Sequence, residues 1–524
     1  MHTRNRTARL QSAAVLSVAL FATAACGLKA SAKSNLEQIA AGNGGQVTTG
    51  GATGGGAGTG TAGGGGTGGT GSALGATGSS GTTGILSGTS GGGSSSTSGT
   101  SGSGSTGTSG ATGTSGSSTS GTSTTGAGGG PCGVPTGGNT TGITKSTISI
   151  GLHAPLTGTG TPFPNSSFQK GSQAFWDAPG HTVCGRKIKV DFEDDTYTPD
   201  GANKVCSQFA KTSFLALGGA GTDQIQACAT NTDIDRSGTP YLSAGVTDNG
   251  LTGLSNYFAL SLTYKQQGAL VVRNALARGF AKPSAGCTGK QWEIVTGKSP
   301  NFNSATTGIE QALGSAGISY HETRFDQNSG NYDAAATQLG SQLALEGCKT
   351  IFVDAAPGVF VFVIKGYYNS SPTGGGVHWT APGVTFTEFL AAQLMCQFSA
   401  NAINGAADVL APYPGIDHAT ADFKKAYGGS YDDIEWSLWG LSSSIYQMLN
   451  AASGNLTRQN FINTVQNGSF NGGIYAPSSF GGGHFGGTGA WVQKVNCSEH
   501  NPNQPSGTQG NGQWDTVGST YLRP

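Results

Sequence analysis

Between about Gly42 and Gly138 this 524-residue chain consists almost wholly of Gly, Ser, Thr and Ala, with no aromatic side chain and hardly a charge. Such a segment cannot bury enough apolar surface to offset the entropy of ordering it, so it behaves as an unfolded tether. With roughly 100 residues, a Gly-rich coil has an rms span of about 5–6 Å × √n, or roughly 55 Å. Its irregular Gly-Thr-Ser-Gly runs lack a collagen period. All folding is therefore expected on its C-terminal side. We place the linker at 42–143 and the body at 144–524.

Ahead of the tether, Arg4, Arg6 and Arg9 precede an apolar run over 13–22 and then small residues up to Cys26, the layout of a secretory signal. That run is too short to span a bilayer. The sequence Thr23-Ala24-Ala25-Cys26-Gly27 resembles the bacterial lipobox, with Thr23 where Leu is usual. The resemblance implies a signal peptide at 1–25, a diacylglycerol on Cys26 and a lipid-anchored mature N-terminus over 26–41. Acyl chains hold a protein at a membrane at about 0.8 kcal/mol per buried methylene, with no spanning helix.

Net charge is zero, and Asp, Glu, Lys and Arg make up 10% of the chain, which leaves no basic stripe for nucleic acid. Beyond Cys26 stand eight cysteines: 132, 184, 206, 228, 287, 348, 396 and 497. An even number in an exported chain favours disulfides over thiols. The wide spacings, with no C-x-x-C and no nearby His pair, argue against a zinc site. One pairing is expected, Cys287 with Cys348, because each lies just before an apolar strand and parallel strands of a sheet begin on the same edge. The rest of the connectivity stays open.

The body exceeds the size at which one core usually stops growing, so two domains are expected. Strands are expected over 147–152, 187–192, 214–217, 240–243, 292–295 and 317–322. Helices are expected over 167–177, 200–211, 224–237, 268–278 and 306–316. This alternation predicts α/β architecture with doubly wound parallel sheets. Ligands of such sheets bind beyond the carboxyl ends of the strands. The segments to watch are therefore 153–163, 193–200, 218–223 and 243–248.

In order and spacing these four segments resemble the leucine/isoleucine/valine-binding family of periplasmic-type solute receptors. The first strand leads to a Pro/Thr-Gly turn and a helix entered through Phe168 and Gly171. The second ends in Asp194, Asp195 and Pro199. Gly218 then precedes Thr222 at a helix start, and a short strand runs into a small-residue turn with Thr247. Looser likeness continues through 351–357, 379–385 and 434–440, so that it covers roughly 147–490.

The resemblance implies two doubly wound parallel-sheet lobes joined by a three-segment hinge, the type I periplasmic-binding-protein fold. The crossovers would lie near Leu262, Leu410 and Tyr475. Lobe 1 would comprise about 144–262 and 411–475, and lobe 2 about 263–410 and 476–524. It further implies ligand contacts from Phe163, Thr222, Asp223, Ala244 and Thr247 in the first lobe and from Ala356, Pro357, Val384 and Thr385 in the second. A helix N-terminus at Thr222 suits a ligand carboxylate, whereas Thr222 or Asp223 as a plain helix cap is the structural alternative. Trp436 and Trp439 read as core helix residues, with lining of the pocket as the alternative.

Members that bind amino acids present an acid from the second lobe to the ligand's ammonium. Here Ala381-Pro382-Gly383-Val384 carries none, and Glu388 is the nearest. The ligand class therefore stays open among amino acids, amides, short acids and aromatic acids.

The body carries no Gly-x-Ser-x-Gly elbow and no His-Glu-x-x-His. His153, His378, His418 and His484 read as scattered polar residues, so no enzyme, cofactor or metal is expected. The implied role is the extracytoplasmic, lipid-anchored binding component of an ABC importer, with a permease and an ATPase on other chains as partners. A ligand-sensing lipoprotein of the same fold is the alternative, with a cell-surface adhesive protein after it.

Overall fold

The computed structural model describes residues 132, 135, 137–156, 165–244, 248–280, 286–326, 331–373, 375–382, 392–399, 402–501 and 511–524. The first of its two large sheets contains β1 (Thr147–Ala154), β2 (Thr182–Val183), β3 (Arg186–Asp194), β4 (Leu215–Gly218), β5 (Tyr241–Ser243) and β6 (Tyr257–Ala259), in the order β2-β3-β1-β4-β5-β6. All pairings are parallel except β2 on β3. β1 is central, with Ile150 opposite Val190 on one side and Leu215 on the other.

Such a strand must be apolar on both faces. Ile148, Ile150 and Leu152 pack with Phe168 and Phe175 of helix Asn165–Asp177, while Ala216 packs with Val205 and Phe209 of helix Pro199–Thr212. The latter helix starts where the sequence provides a cap: the Thr198 hydroxyl accepts from the Gly201 N–H at 3.0 Å, and Pro199 occupies the first turn.

The second sheet contains β7 (Trp292–Gly297), β8 (Tyr320–Phe325), β9 (Thr350–Asp354), β10 (His378–Pro382), β11 (Ala407–Ala411), β14 (Trp491–Asn496) and β15 (Gln513–Thr516), in the order β15-β14-β11-β10-β9-β7-β8. β12 (Ser469–Phe470) and β13 (Ser478–Ser479) form a separate hairpin. β7 to β11 are parallel, whereas β14 and β15 add antiparallel edges that the sequence pattern did not reveal. Helices Tyr332–Leu345 and Pro357–Ser370 pack so closely that a Cβ on Gly340 would lie 1.9 Å from the Val363 carbonyl oxygen, and one on Gly366 would lie 1.8 Å from that of Thr337. Only glycine allows that approach.

The two doubly wound sheets agree with the expected fold class. The chain passes between them three times, after β6, after β11 and before β14. The three passages lie together. Ala259 N–H donates to the His484 carbonyl, and the Ala259 carbonyl accepts from Gly486 N–H, both at 2.9 Å. Ala476 N–H donates to Pro412 O at 2.9 Å, and the Tyr413 and Tyr475 rings stack at 5.4 Å. Helix Asp433–Ala451 returns to the first sheet's side and meets helix Asn165–Asp177, with Ser172 and Ser442 hydroxyls 2.9 Å apart.

Three details differ from expectation. The helical segment expected over 224–237 is two helices, Thr222–Ala229 and Thr232–Ser237, because Asn231 Oδ1 accepts from Asp233 and Ile234 N–H and caps a new start. The strand expected over 317–322 is β8, shifted to Tyr320–Phe325 behind a turn at Gly317, φ +69°. The end of the expected linker belongs to the body: Ile143 bridges Ile148, Asn139 Nδ2 donates to the Ser237 carbonyl at 3.1 Å, and Cys132 is bonded to Cys184.

The other disulfides are Cys206–Cys228, Cys396–Cys497 and Cys287–Cys348, the last being the expected pair. Among the described residues no helix is long and apolar enough to cross a membrane.

Candidate functional site

The carboxyl ends of β1, β4 and β5 lie side by side, with His153 opposite Gly218 and Gly218 opposite Ser243. Helix Thr222–Ala229 begins just beyond β4, after Gly221, whose φ of +86° and lack of a side-chain cap suit glycine. Its first residue, Thr222, hydrogen-bonds through its hydroxyl to the Tyr264 side chain. Tyr264 opens the helix that comes after the first passage, Tyr264–Ala277, behind a capping box of Thr263 and Gln266. Burial pushes its phenol up, and the nearby charges of Asp354, Asp248 and Asp223 push it the same way.

Asp223 crosses to the other lobe: its Oδ1 accepts from Asn301 Nδ2. Asn301 sits in the 3₁₀ turn Pro300–Phe302 beyond β7, and its Oδ1 accepts from Asn249 Nδ2 at 3.2 Å. One second-lobe amide is thus held between two first-lobe residues. Burial raises the Asp223 carboxyl above the usual range, and the Asn301 bond opposes this.

From the second lobe, Asp354 ends β9 and is buried; its Oδ2 accepts from the Thr306 hydroxyl at 3.0 Å. Burial pushes Asp354 up to about 7, partly offset by the Thr306 and Thr296 hydroxyls and by Arg324.

Two of the enclosed side-chain polar atoms without a hydrogen-bond partner lie beyond strand ends. Asp248 Oδ1 lies beyond β5. The Tyr332 hydroxyl, in a residue 1% exposed, lies at the start of helix Tyr332–Leu345 beyond β8. Burial raises the Tyr332 phenol, and Asp333 and Tyr197 add to this. Tyr197 lies beyond β3 with φ +56° and its N–H donates to Asp195 Oδ1 at 2.8 Å; its phenol is raised by burial, then by Asp195 and Asp223.

Beneath the first-lobe loops runs a buried chain: His153 Nδ1 to Asp195 Oδ2 at 2.8 Å, and His153 Nε2 to the Tyr241 hydroxyl at 2.7 Å. Tyr241 stacks on Tyr257, whose hydroxyl is 2.9 Å from Ser243 Oγ. His153, Asp195 and Tyr241 are 0% exposed, and burial raises the Tyr241 phenol, which makes it a poor nucleophile with no access to substrate. The chain instead ties the ends of β1, β3 and β5 together. His153 is therefore not a scattered polar residue, and its place at the end of β1 beside a strand ending Asp194-Asp195 was the available signal.

His153 with Cys206 and Cys228, and Glu293 with Cys287 and Cys348, bring donor atoms within 4.8 Å of one another. In both groups the sulfurs are joined in a disulfide, so neither offers a thiolate to a metal.

Of the residues expected to contact ligand, Thr222, Asp223 and Ala244 lie at the ends of the adjacent strands β4 and β5. Ala356 caps helix Pro357–Ser370 in the other lobe, two residues after Asp354. Phe163, Thr247, Val384 and Thr385 lie outside the described residues, as do Glu388 and Cys26. Trp436 and Trp439 are buried, Trp436 donating Nε1–H to Pro414 O at 2.9 Å, as expected of core residues. Tyr197 and Asp248 lie in the marked loop segments 193–200 and 243–248 without having been singled out there. Asn249, Tyr264, Asn301, Tyr332 and Asp354 were not foreseen, because nothing local marks them and each acquires its neighbours through distant pairings.

The sequence model of a family described as periplasmic binding protein matches residues 147–502. No curated protein sequence matches the chain. Solved structures do. A fatty acid ABC transporter substrate-binding protein from Thermomonospora curvata is 17% identical, over 74% of this chain and 95% of that one, with a TM-score of 0.59. An ABC transporter solute binding protein from Rhodopseudomonas palustris BisB5, in complex with 3,4-dihydroxy benzoic acid, is 16% identical over 72% and 97%, with a TM-score of 0.56. A leucine binding protein from Thermotoga maritima is 13% identical over 72% and 99%, with a TM-score of 0.53.

Proposed function

Because this chain belongs to the periplasmic binding protein family, we propose that it is the extracytoplasmic substrate-binding lipoprotein of an ABC importer, which captures a small polar solute between its lobes and delivers it to a permease driven by a separate ATPase. The observation that carries this reading is the clasp of Asn301 between Asp223 and Asn249, which joins polar strand ends of opposite lobes beside a three-stranded passage. Receptors of this architecture close on a ligand by a hinge motion that a few segment ends absorb. Ligand carriage by the structural neighbours, whose names speak of fatty acid, dihydroxy benzoic acid and leucine, supports a small organic solute.

In this reading Phe163, Thr222, Asp223, Ala244 and Thr247 face Ala356, Pro357, Val384 and Thr385 across the ligand. Cys26 carries the lipid, and the tract over 42–143 spaces the body from the membrane up to the point where it is tied down. The test is a thermal-shift screen of the purified chain against amino acids, amides, carboxylates, amines and sugars. A selective rise that grows with ligand concentration, as binding linkage demands, supports the proposal; a folded, ligand-free protein that responds to none of them refutes it.

A further inference from the structure

The second passage, which leaves β11 at Ala411 and enters helix Ala421–Tyr427, is held from both lobes. From the first lobe, Trp436 Nε1–H donates to the Pro414 carbonyl at 2.9 Å. From the second, Gln493 of β14 donates through Nε2 to the Tyr413 carbonyl at 2.8 Å. β15 takes the next residues: Gly415 N–H donates to the Thr516 hydroxyl at 2.9 Å, that hydroxyl donates to Asp417 Oδ1 at 2.8 Å, and Thr516 N–H donates to Asp417 Oδ2 at 3.1 Å. The joint is packed as well as bonded. A Cβ on Gly415 would lie 2.2 Å from the Trp514 carbonyl oxygen, and Trp514 is 1% exposed.

The same C-terminal segment binds the third passage. Ala490 N–H donates to the Leu522 carbonyl at 2.9 Å, Leu522 N–H donates back at 2.8 Å, and Val517 N–H donates to the Val492 carbonyl at 2.8 Å. Gly512 N–H donates to the Glu499 carbonyl at 2.8 Å, which sets the start of β15 beside the stretch that follows β14. In that stretch Cys497 is bonded to Cys396 of the second lobe, and Asn501, 4% exposed, donates through Nδ2 to the Tyr431 carbonyl at 2.6 Å. Tyr431 is on the first lobe's side: its ring meets Phe423 at 5.1 Å, Phe423 meets Trp439 at 5.6 Å, and Trp439 meets Phe175 of helix Asn165–Asp177 at 5.2 Å.

Hinge motion is absorbed by a few residues at segment ends. Residues whose backbones are bonded into a sheet edge cannot supply those changes without leaving buried backbone groups unpaired. β15 therefore withdraws Gly415 to Asp417, and its continuation Ala490 to Val492, from the set that can bend. Of the second passage, 418–420 are left between Asp417 and the helix that starts at Ala421. With Pro414 fixed to the second lobe on either side, the Trp436 bond becomes a bond between lobes, as the Asn501 bond is.

We infer that the C-terminal segment 511–524 is a hinge strap, which joins two of the three passages into one stiff unit and so limits how far the lobes turn relative to each other. The inference goes beyond the receptor reading, since it concerns the motion of the body whichever solute it carries.

The test is hydrogen–deuterium exchange of the full chain, read by mass spectrometry without ligand, in Thr516→Val and in Asn501→Ala. These break separate attachments, so that if one variant does not fold the other decides. The diagnostic peptides contain Ala259 and Gly486, whose N–H groups bond passages one and three to each other and not to the strap. Exchange there and over 411–420 should rise at least tenfold, with β1 protected as in the parent, because a loosened hinge opens locally before the lobes unfold. Exchange that rises only within 511–524, with Ala259 and Gly486 unchanged in each folded variant, overturns the inference and makes the segment a cover for the edge of the second sheet. Neither outcome bears on whether a solute binds, which the thermal-shift screen decides separately.

Discussion

Asn301 of the second lobe donates its side-chain amide to Asp223 of the first, 78 residues away in sequence, and accepts from Asn249. The clasp links the two lobes by hydrogen bonds within the protein itself. A bond to a carboxylate of this kind contributes about 1.5–3 kcal/mol, enough to shift the population of a hinged molecule by an order of magnitude or more. Asn301→Ala should therefore increase the radius of gyration of the ligand-free protein in solution scattering and weaken whichever probe binds about tenfold. An unchanged scattering profile together with unchanged affinity would show that the clasp does not set the closure equilibrium.

Asp354 gives the body a pH dependence with a definite sign. Its folded-state value of about 7 lies above the ordinary carboxylate value, so between about pH 4 and 7 the folded state holds a proton that the unfolded state has lost. The stability associated with that proton is fully present in acid, declines as pH rises through this window and is gone above 7. Three units correspond to at most about 4 kcal/mol. The melting temperature should fall between pH 5 and 8, and Asp354→Asn, which keeps an acceptor for the Thr306 hydroxyl, should flatten that slope. Parallel curves for the two proteins would remove Asp354 as the cause.

The disulfides differ in the loops they close. Cys287–Cys348 closes 61 residues and Cys206–Cys228 closes 22. On the chain-entropy account their stabilisation is about 4 and about 3 kcal/mol respectively. Paired Cys→Ser substitutions should both lower the melting temperature, more for the 287/348 pair, as read by calorimetry. The reverse order would mean that native packing, not loop closure, governs these bridges.

What was legible in the sequence came from local rules. Long apolar runs gave β1, β7 and β9, and the helix expected over 200–211 is present as Pro199–Thr212. The break at Asn231 was not legible because the polar stretch around it suits either a continuous helix or a cap. β14 and β15 escaped because β14 pairs on β11, about 80 residues away, and β15 only on β14, and nothing local distinguishes such strands from a loop. The candidate site was harder still. Thr222 was found through its place after β4, but its bond to Tyr264 and the acids gathered there depend on how two lobes meet, which no window of sequence contains.

That bond makes the role of Thr222 decidable. With its hydroxyl engaged by Tyr264, Thr222 either touches the ligand itself or holds the Tyr264 phenol where the ligand finds it. Thr222→Ala alone should weaken binding by about 1–3 kcal/mol in either case, so the single variant decides nothing. A double-mutant cycle with Tyr264→Phe does. If Thr222 acts through the phenol, the second substitution adds little to the first, and the coupling energy approaches the smaller of the two single effects. If Thr222 contacts the ligand directly, the two losses add. We expect strong coupling, since the three acids converge on the phenol; additive losses measured by titration would place the threonine hydroxyl on the ligand.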